Sequence, residues 1–158
     1  MRYSGTLLAV ADMARARHFY CELLGMRVTA DFGANVTLSD AVSLQTLESW
    51  QGFIDKTNDE IRFGHNAAEL YFEEDDLDSF LQTLAVWPDL RYVHPPMTHR
   101  WGQRVVRFYD PDGHIVEVGE NMTAVVRRFL ADGMTVAQAA ERMEVPEDYI
   151  LSHKGDVG

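Results

Sequence analysis

The sequence has few cysteines, few positive charges and no long apolar run. Its single cysteine, Cys21, excludes an internal disulfide. The chain has 14 Lys and Arg against 25 Asp and Glu, and the net charge of −11 disfavours binding to nucleic acid or to an anionic membrane. No stretch approaches the roughly 20 apolar residues of a membrane span. The run Leu7–Ala11 is too short for a signal peptide, so we expect a cytoplasmic protein.

A β-hairpin is predicted near residue 110. Val105–Tyr109 and Ile115–Val118 are rich in β-branched and aromatic residues, and between them Pro111 and Gly113 favour a turn. Because side chains alternate along a strand, one face of the first strand carries a polar set: Gln103, Arg107 and Tyr109. Glu117 lies inside the second, apolar strand. The pattern leaves two interpretations open for it, a site residue or a residue on a solvated sheet face.

The order strand, helix, three strands occurs twice in the chain. The first module is about residues 3–47, the second about 67–119, and residues 48–66 form a linker with a short helix. The first module is predicted to contain a strand Thr6–Ala11, a helix Met13–Leu24 capped by Asp12, and strands Met26–Asp31, Asn35–Ser39 and Val42–Leu47. The second has a strand Ala67–Glu73, a helix beginning at Asp75-Asp76, a short strand Arg91–His94 ended by Pro95-Pro96, and the hairpin.

The fold class that follows is α+β. Two βαβββ modules would place eight strands in one curved, mostly antiparallel sheet within a domain of residues 1–120. His114, in the hairpin turn, is expected to be solvated.

Two motifs resemble a known superfamily. The sequence VADMA at 10–14 followed by HFYCELLG at 18–25 is similar to the first strand and helix of the glyoxalase/bleomycin resistance/dioxygenase (vicinal oxygen chelate) superfamily, and DPDGHIVE at 110–117 is similar to its closing hairpin. The resemblance covers about residues 3–120. It implies paired βαβββ modules, a cup-shaped sheet, frequent homodimers and often a divalent metal.

The metal ligands that the resemblance implies are incomplete here. Glu117 stands at the closing-strand position and Glu69 at the first strand of the second module, but Gly5 replaces the usual first-strand histidine. Gln45 is a weak third candidate. Mg²⁺ or Mn²⁺ accept such oxygen ligands. The alternative hypothesis is that Arg107 neutralises Glu69 and Glu117 in place of a metal.

Further residues are candidates for ligand contacts. His99 stands just before Arg100-Trp101-Gly102 and could act as a general acid or base near neutral pH. Aromatic and amide side chains could line a groove: Trp50, Phe53, Tyr71, Trp101, Gln103 and Tyr109. For Trp50 and Phe53 the alternative is that they only anchor the linker.

Residues 121–158 are predicted to form three short helices resembling a helix-turn-helix. This segment has four basic against six acidic residues, whereas DNA-binding modules are normally basic. A helical arm packing on the sheet domain or on a partner subunit is therefore favoured over nucleic-acid binding.

Two functional hypotheses follow. The first is a glyoxalase-like isomerase or lyase acting on an α-oxo or vicinal-oxygen substrate. In it, Glu69 and Glu117 hold a metal or transfer protons, and His99 acts as a general acid or base. The second is a non-catalytic, metal-free protein of the bleomycin-resistance kind that binds a small, drug-type molecule, with acidic groups attracting a cation.

Overall fold

The computed structural model describes residues 1–155, which divide into two compact units. The first unit contains Met1–Ala68 and Tyr109–Ile115, and the second contains Glu69–Phe108 and residues 116–155. Each unit has its own four-stranded sheet. This confirms the predicted α+β class with two βαβββ-type modules, and it distributes the eight strands over two sheets of four.

The first unit contains four strands and two α-helices. Its sheet has the order β1-β4-β3-β2, with β1 and β4 parallel and the other neighbours antiparallel. Asp12 caps the first helix by accepting a hydrogen bond from the Arg15 N–H at 2.9 Å. The elements are β1 (Thr6–Val10), α1 (Met13–His18) continued by a π-helical turn (Phe19–Leu23), β2 (Val28–Asp31), β3 (Asn35–Leu38), β4 (Val42–Thr46) and α2 (Leu47–Ile54).

The hairpin turn is held by Asp110, which is almost fully buried. One carboxylate oxygen accepts hydrogen bonds from the Tyr20 hydroxyl and the His114 ring, both at 2.8 Å. The other accepts the backbone N–H groups of Asp112 and His114. The prediction that His114 is solvated was wrong, because its ring is largely buried against this carboxylate.

The second unit repeats the strand-helix-three-strand order. Its sheet has the order β5-β8-β7-β6, and Asp76 caps its first helix. One face of the sheet is apolar, and the buried side chains on it include Val106, Phe108, Val116 and Val118. The elements are β5 (Glu69–Glu74), α3 (Leu77–Val86), β6 (Arg91–Thr98), β7 (Arg104–Tyr109) and β8 (Ile115–Glu120).

The strand β6 is longer than predicted. It continues through Pro95 and Pro96 to Thr98, whereas the sequence suggested an end at His94. Its place at the edge of the sheet permits this, because every second residue of an edge strand points its N–H away from the neighbouring strand, so only one of the two adjacent prolines removes a ladder donor.

The chain after β8 forms three helices, as predicted: α4 (Met122–Ala131), α5 (Val136–Met143) and α6 (Glu147–His153). Thr135 caps α5 by accepting a hydrogen bond from the Gln138 N–H. Their buried side chains form one apolar cluster that includes Val126, Phe129, Ala140 and Ile150. Residues 156–158 of the predicted tail lie outside the described part of the chain. Within residues 1–155, no helix is long and apolar enough to cross a membrane.

The His114–Asp110 pair predicts a pH-dependent stability. Burial opposes the charged ring, but the hydrogen bond and charge of Asp110 outweigh it and raise the pKa of His114 above its usual value. The stabilisation is therefore fully present below the unfolded-state pKa of about 6.5 and is lost as the pH rises through the folded-state pKa. Urea unfolding should show wild type more stable than His114→Asn at about pH 5, with the difference shrinking towards about pH 9.

The matched control is His65→Asn, which changes an exposed loop histidine of the same unit. It should show no comparable trend. A difference between wild type and His114→Asn that stays constant across this pH range would contradict the proposed pairing.

Candidate functional site

Opposite the apolar face, the sheet of the second unit carries a group of polar and aromatic side chains. The alternation of side chains along β5, β7 and β8 explains why residues two apart share this side. We call the following set the polar face: Glu69, Tyr71, His99, Trp101, Gln103, Arg107 and Glu117. All seven were predicted from the sequence as site residues.

At the centre of the polar face, Arg107 contacts two carboxylates. Its Nε donates to Glu69 at 2.9 Å, and its Nη2 forms an ion pair with Glu117. Glu117 is only 5% exposed, whereas Glu69 is at the surface. One guanidinium therefore joins a buried and an exposed carboxylate, which lie on different strands of the same sheet.

The two carboxyl groups have opposite pKa shifts. The hydrogen bond from Arg107 holds the pKa of Glu69 below its ordinary value. Burial raises the pKa of Glu117, and the charge of Glu69 adds to this although Arg107 opposes it. For Arg107 itself, burial is outweighed by the hydrogen bond to Glu69 and the two negative charges, so its pKa is raised. This arrangement provides a carboxyl group suited to proton transfer beside a fixed positive charge.

A second network extends from Trp101 to Glu73. The Trp101 indole N–H donates to the side-chain oxygen Oε1 of Gln103 at 3.2 Å, and the side-chain Nε2 of Gln103 donates to the Tyr71 hydroxyl at 3.0 Å. The Tyr71 hydroxyl in turn donates to Glu73 at 3.1 Å. Gly119 makes room for it, because a Cβ there would lie 2.8 Å from the Gln103 amide nitrogen. Tyr71 is half exposed, so its ring is available to a ligand.

His99 stacks on Trp101, with ring centroids 4.2 Å apart and planes inclined by 16°. Burial lowers the pKa of His99, and the charges of Arg107 and His94 lower it further. The neutral ring is therefore favoured near neutral pH. A neutral imidazole can accept a proton or stack on a flat ligand.

The remaining predicted site residues belong to the first unit. Gln45 is buried there, and its amide is hydrogen bonded to Asn35 and Ser49. The Tyr109 hydroxyl donates to Asn66 at 2.9 Å. Trp50 and Phe53 lie on α2, half-buried and exposed respectively. Gln45 stays a prediction as a metal ligand, and Tyr109, Trp50 and Phe53 stay predictions as ligand contacts. The functional roles of the polar-face residues are likewise predictions.

A divalent metal does not fit the residues present. A Cβ at Gly5 would collide with the Ala41 carbonyl oxygen, and the same oxygen accepts the Thr6 N–H, so the backbone excludes a side chain at the first-strand position. Glu69 and Glu117 are both engaged by Arg107. Within residues 1–155, no group of three or more His, Cys, Asp or Glu side chains could hold a metal ion.

The family of the chain follows from comparison with known proteins. The model of the glyoxalase-like domain matches residues 3–123. The chain belongs to this family. Members of the glyoxalase/bleomycin resistance protein/dioxygenase superfamily are also among the solved structures that share its fold. No curated protein matches the sequence.

Three similar structures illustrate the range of the fold. A protein of unknown function from Agrobacterium tumefaciens str. C58 is 37% identical, with a TM-score of 0.69, and the match covers 77% of this chain and 94% of that one. A glyoxalase-related enzyme from Fulvimarina pelagi is 15% identical over 77% and 89% of the two chains, with a TM-score of 0.65. A lactoylglutathione lyase from Agrobacterium tumefaciens is 21% identical over 77% and 94%, with a TM-score of 0.57. The last two show the fold alone.

Sequence reasoning missed two members of the site of this glyoxalase-like protein. Glu73 follows Glu69 and Tyr71 on β5 at intervals of two residues. This period alone was enough to place Glu73 on the same side of the strand. Gly119 stands two residues after Glu117, on the same side of β8. Its role follows from the side chains of Tyr71 and Gln103 on neighbouring parts of the sheet, which the local pattern does not indicate.

The backbone conformation at Gly5 leads us to predict that a side chain at this position lowers the stability of the fold. Gly5 has a φ of +152° and no room for a Cβ, so Gly5→Ala should lower the free energy of unfolding by about 1–3 kcal/mol. The control is Gly52→Ala in helix α2, where a Cβ meets no atom within 4 Å. That change should be neutral or stabilise by up to about 1 kcal/mol. Urea unfolding measures both, and equal effects would contradict the steric argument.

Proposed function

We propose that this glyoxalase-like protein binds a small organic molecule on the polar face without a divalent metal. The observation that supports the proposal is the contact of Arg107 with both Glu69 and Glu117. A cation between these carboxylates would have to displace a guanidinium that already neutralises them. In this proposal the fold provides the binding surface, and the side chains of the polar face bind the ligand without a metal ion.

The charges and rings of the polar face favour an aromatic cation as the ligand. Glu69 and Glu117 on this face, with Glu73 beside it at the Tyr71 hydroxyl, outnumber Arg107. Tyr71 and the stacked pair His99 and Trp101 offer ring faces, on which a cation gains about 0.5–2 kcal/mol. A flat, positively charged molecule satisfies both features, in the manner of a protein that sequesters a drug.

A second candidate function is a metal-free isomerase or lyase. The observation that favours it is the split between Glu117, whose pKa is raised by burial, and Glu69, whose pKa is lowered by Arg107. Glu117 would exchange a proton on a carbon next to a carbonyl while Arg107 stabilises developing negative charge. Deuterium incorporation from heavy water into α-oxo compounds, absent in Glu117→Gln, tests this alternative by NMR.

The proposal predicts a specific metal response. Wild type should bind Mn²⁺ or Zn²⁺ no tighter than about 100 µM in calorimetry. Arg107→His replaces the guanidinium by an imidazole nitrogen between two carboxylates, which gives three protein ligands of the type that Zn²⁺ accepts. That variant should bind Zn²⁺ at least about tenfold more tightly than wild type.

The control for this gain is the double variant Arg107→His, Glu117→Gln, which removes one of the three ligands and should lose the gain. Tight, near-stoichiometric binding of metal by the wild type would overturn the metal-free proposal.

Ligand binding itself is tested with a panel of flat aromatic ions in buffer containing chelator. Ethidium and other aromatic cations should raise the Tm, whereas naphthalenesulfonate, an aromatic anion, should not. Removing the ring in Tyr71→Ala should weaken cation binding about tenfold, since it deletes one ring face. Tyr3→Ala, at an exposed tyrosine of the first unit, serves as the control. Equal binding of cations and anions would contradict the ligand class.

Three broader expectations stay proposals. They are the division into a glyoxalase-like domain of residues 1–120 and a helical extension of 121–158, a cytoplasmic location and a homodimer. The family match to residues 3–123 supports the first. Light scattering at several protein concentrations tests the third.

A further inference from the structure

The helices α4 and α5, which follow the sheets, contact the turn at residues 99–103. This turn joins β6 to β7 and closes on itself, since the His99 N–H donates to the Gln103 carbonyl and the Gly102 N–H to the His99 carbonyl, both at 2.8 Å. It carries three members of the polar face: His99, Trp101 and Gln103. Its conformation therefore decides where the aromatic rings of the polar face lie.

Arginines of the two helices hold both backbone carbonyls that flank Trp101. Arg128 of α4 donates to the Gly102 carbonyl at 2.8 Å, and Arg142 of α5 donates to the Arg100 carbonyl. The Arg100 side chain pairs with Glu144 at 2.7 Å, just after α5. The turn is thus fastened on either side of its tryptophan.

The turn is also packed against α4. Gly102 has a φ of +91°, and a Cβ there would collide with the ring of Phe129. A glycine is thus needed at this position both for the backbone conformation and for the close approach of the helix. Phe129 itself belongs to the apolar cluster of the three helices, so the position of the turn is tied to the core of the extension.

A buried carboxylate fixes Arg128 in place. Glu120 is 3% exposed at the end of β8 and accepts hydrogen bonds from Arg128 at 2.9 and 3.3 Å. Arg104, at the start of β7, donates to the same carboxylate at 3.1 Å. The Arg128 guanidinium therefore spans Glu120 and the turn, with little freedom to move.

We propose that α4 and α5 position the turn at residues 99–103, so that the extension is part of the ligand site of this protein. Arg128 and Arg142 are positioning residues that act through Trp101 and His99. The proposal rests on the proposed function for its effect on binding, but its structural half is independent of any ligand. The family match ends at residue 123, so this support comes from a part of the chain that the family model does not include.

The test combines fluorine NMR with binding. The protein is labelled with fluorotryptophan, and the Trp101 signal is assigned by its loss in Trp101→Phe. In Arg142→Met, the Trp101 signal should shift or broaden while those of Trp50 and Trp87 stay unchanged. Affinity for ethidium, or for the tightest cation of the panel, should fall about tenfold because the rings are no longer pre-positioned.

Arg142 is exposed, so Arg142→Met should leave the fold intact. Arg128→Met removes a hydrogen-bond partner of the buried Glu120 and is expected to lower the stability of the fold. Arg142→Lys retains a donor and should recover part of the affinity. The matched control is Arg127→Met, an exposed arginine beside Arg128 on α4, which should alter neither signal nor affinity.

An unchanged Trp101 signal in both Arg142→Met and Arg128→Met would overturn the proposal. A shifted signal with unchanged affinity would overturn its claim on the ligand site. Should the wild type bind none of the cations, the proposed function fails, and the fluorine spectra still decide whether the helices position the turn.

Discussion

The guanidinium of Arg107 is the positive charge on which the polar face depends. Glu117 is buried in the sheet, and a buried carboxylate without a partner costs several kcal/mol. A second carboxylate nearby, Glu69, would increase that cost by repulsion. The planar, permanently charged fork of arginine can contact both at once, which a lysine ammonium does less well. The same contact occupies the place where a metal would need to bind the two oxygens.

Two features elsewhere in the chain agree with this view. In the first unit, the backbone at Gly5 leaves no room for the histidine that the family resemblance implies there. In the second unit, the side-chain amide of Gln103 is hydrogen bonded to Trp101, to Tyr71 and to the Glu120 backbone carbonyl, so it orders the two rings. The extension adds a further layer of support through the turn that carries Trp101. Under the proposed function, such a site would recognise its ligand by shape, ring stacking and charge.

Much of this follows from the sequence because strands have a period of two. That period placed Gln103 and Arg107 on one side of the predicted first hairpin strand. The family resemblance marked Glu69 and Glu117 as metal-ligand positions, and the two together raised the alternative hypothesis that Arg107 neutralises both carboxylates. Other features depend on contacts that no local pattern records. The prediction that His114 is solvated was wrong because the ring is paired with the buried carboxylate of Asp110. That carboxylate also accepts a hydrogen bond from Tyr20, about 90 residues away in the chain. β6 passed through two prolines because it lies at a sheet edge. The hold of Arg128 and Arg142 on the turn joins residues 26 and 42 positions apart.

The most direct test of the account is a crystal structure grown with excess Mn²⁺, with anomalous scattering recorded to locate the metal. The account predicts no anomalous peak between Glu69 and Glu117, and an Arg107 guanidinium that contacts both carboxylates. A strong peak bridging the two carboxylates, with the Arg107 side chain turned away, would contradict it and would show that this protein binds a metal ion there.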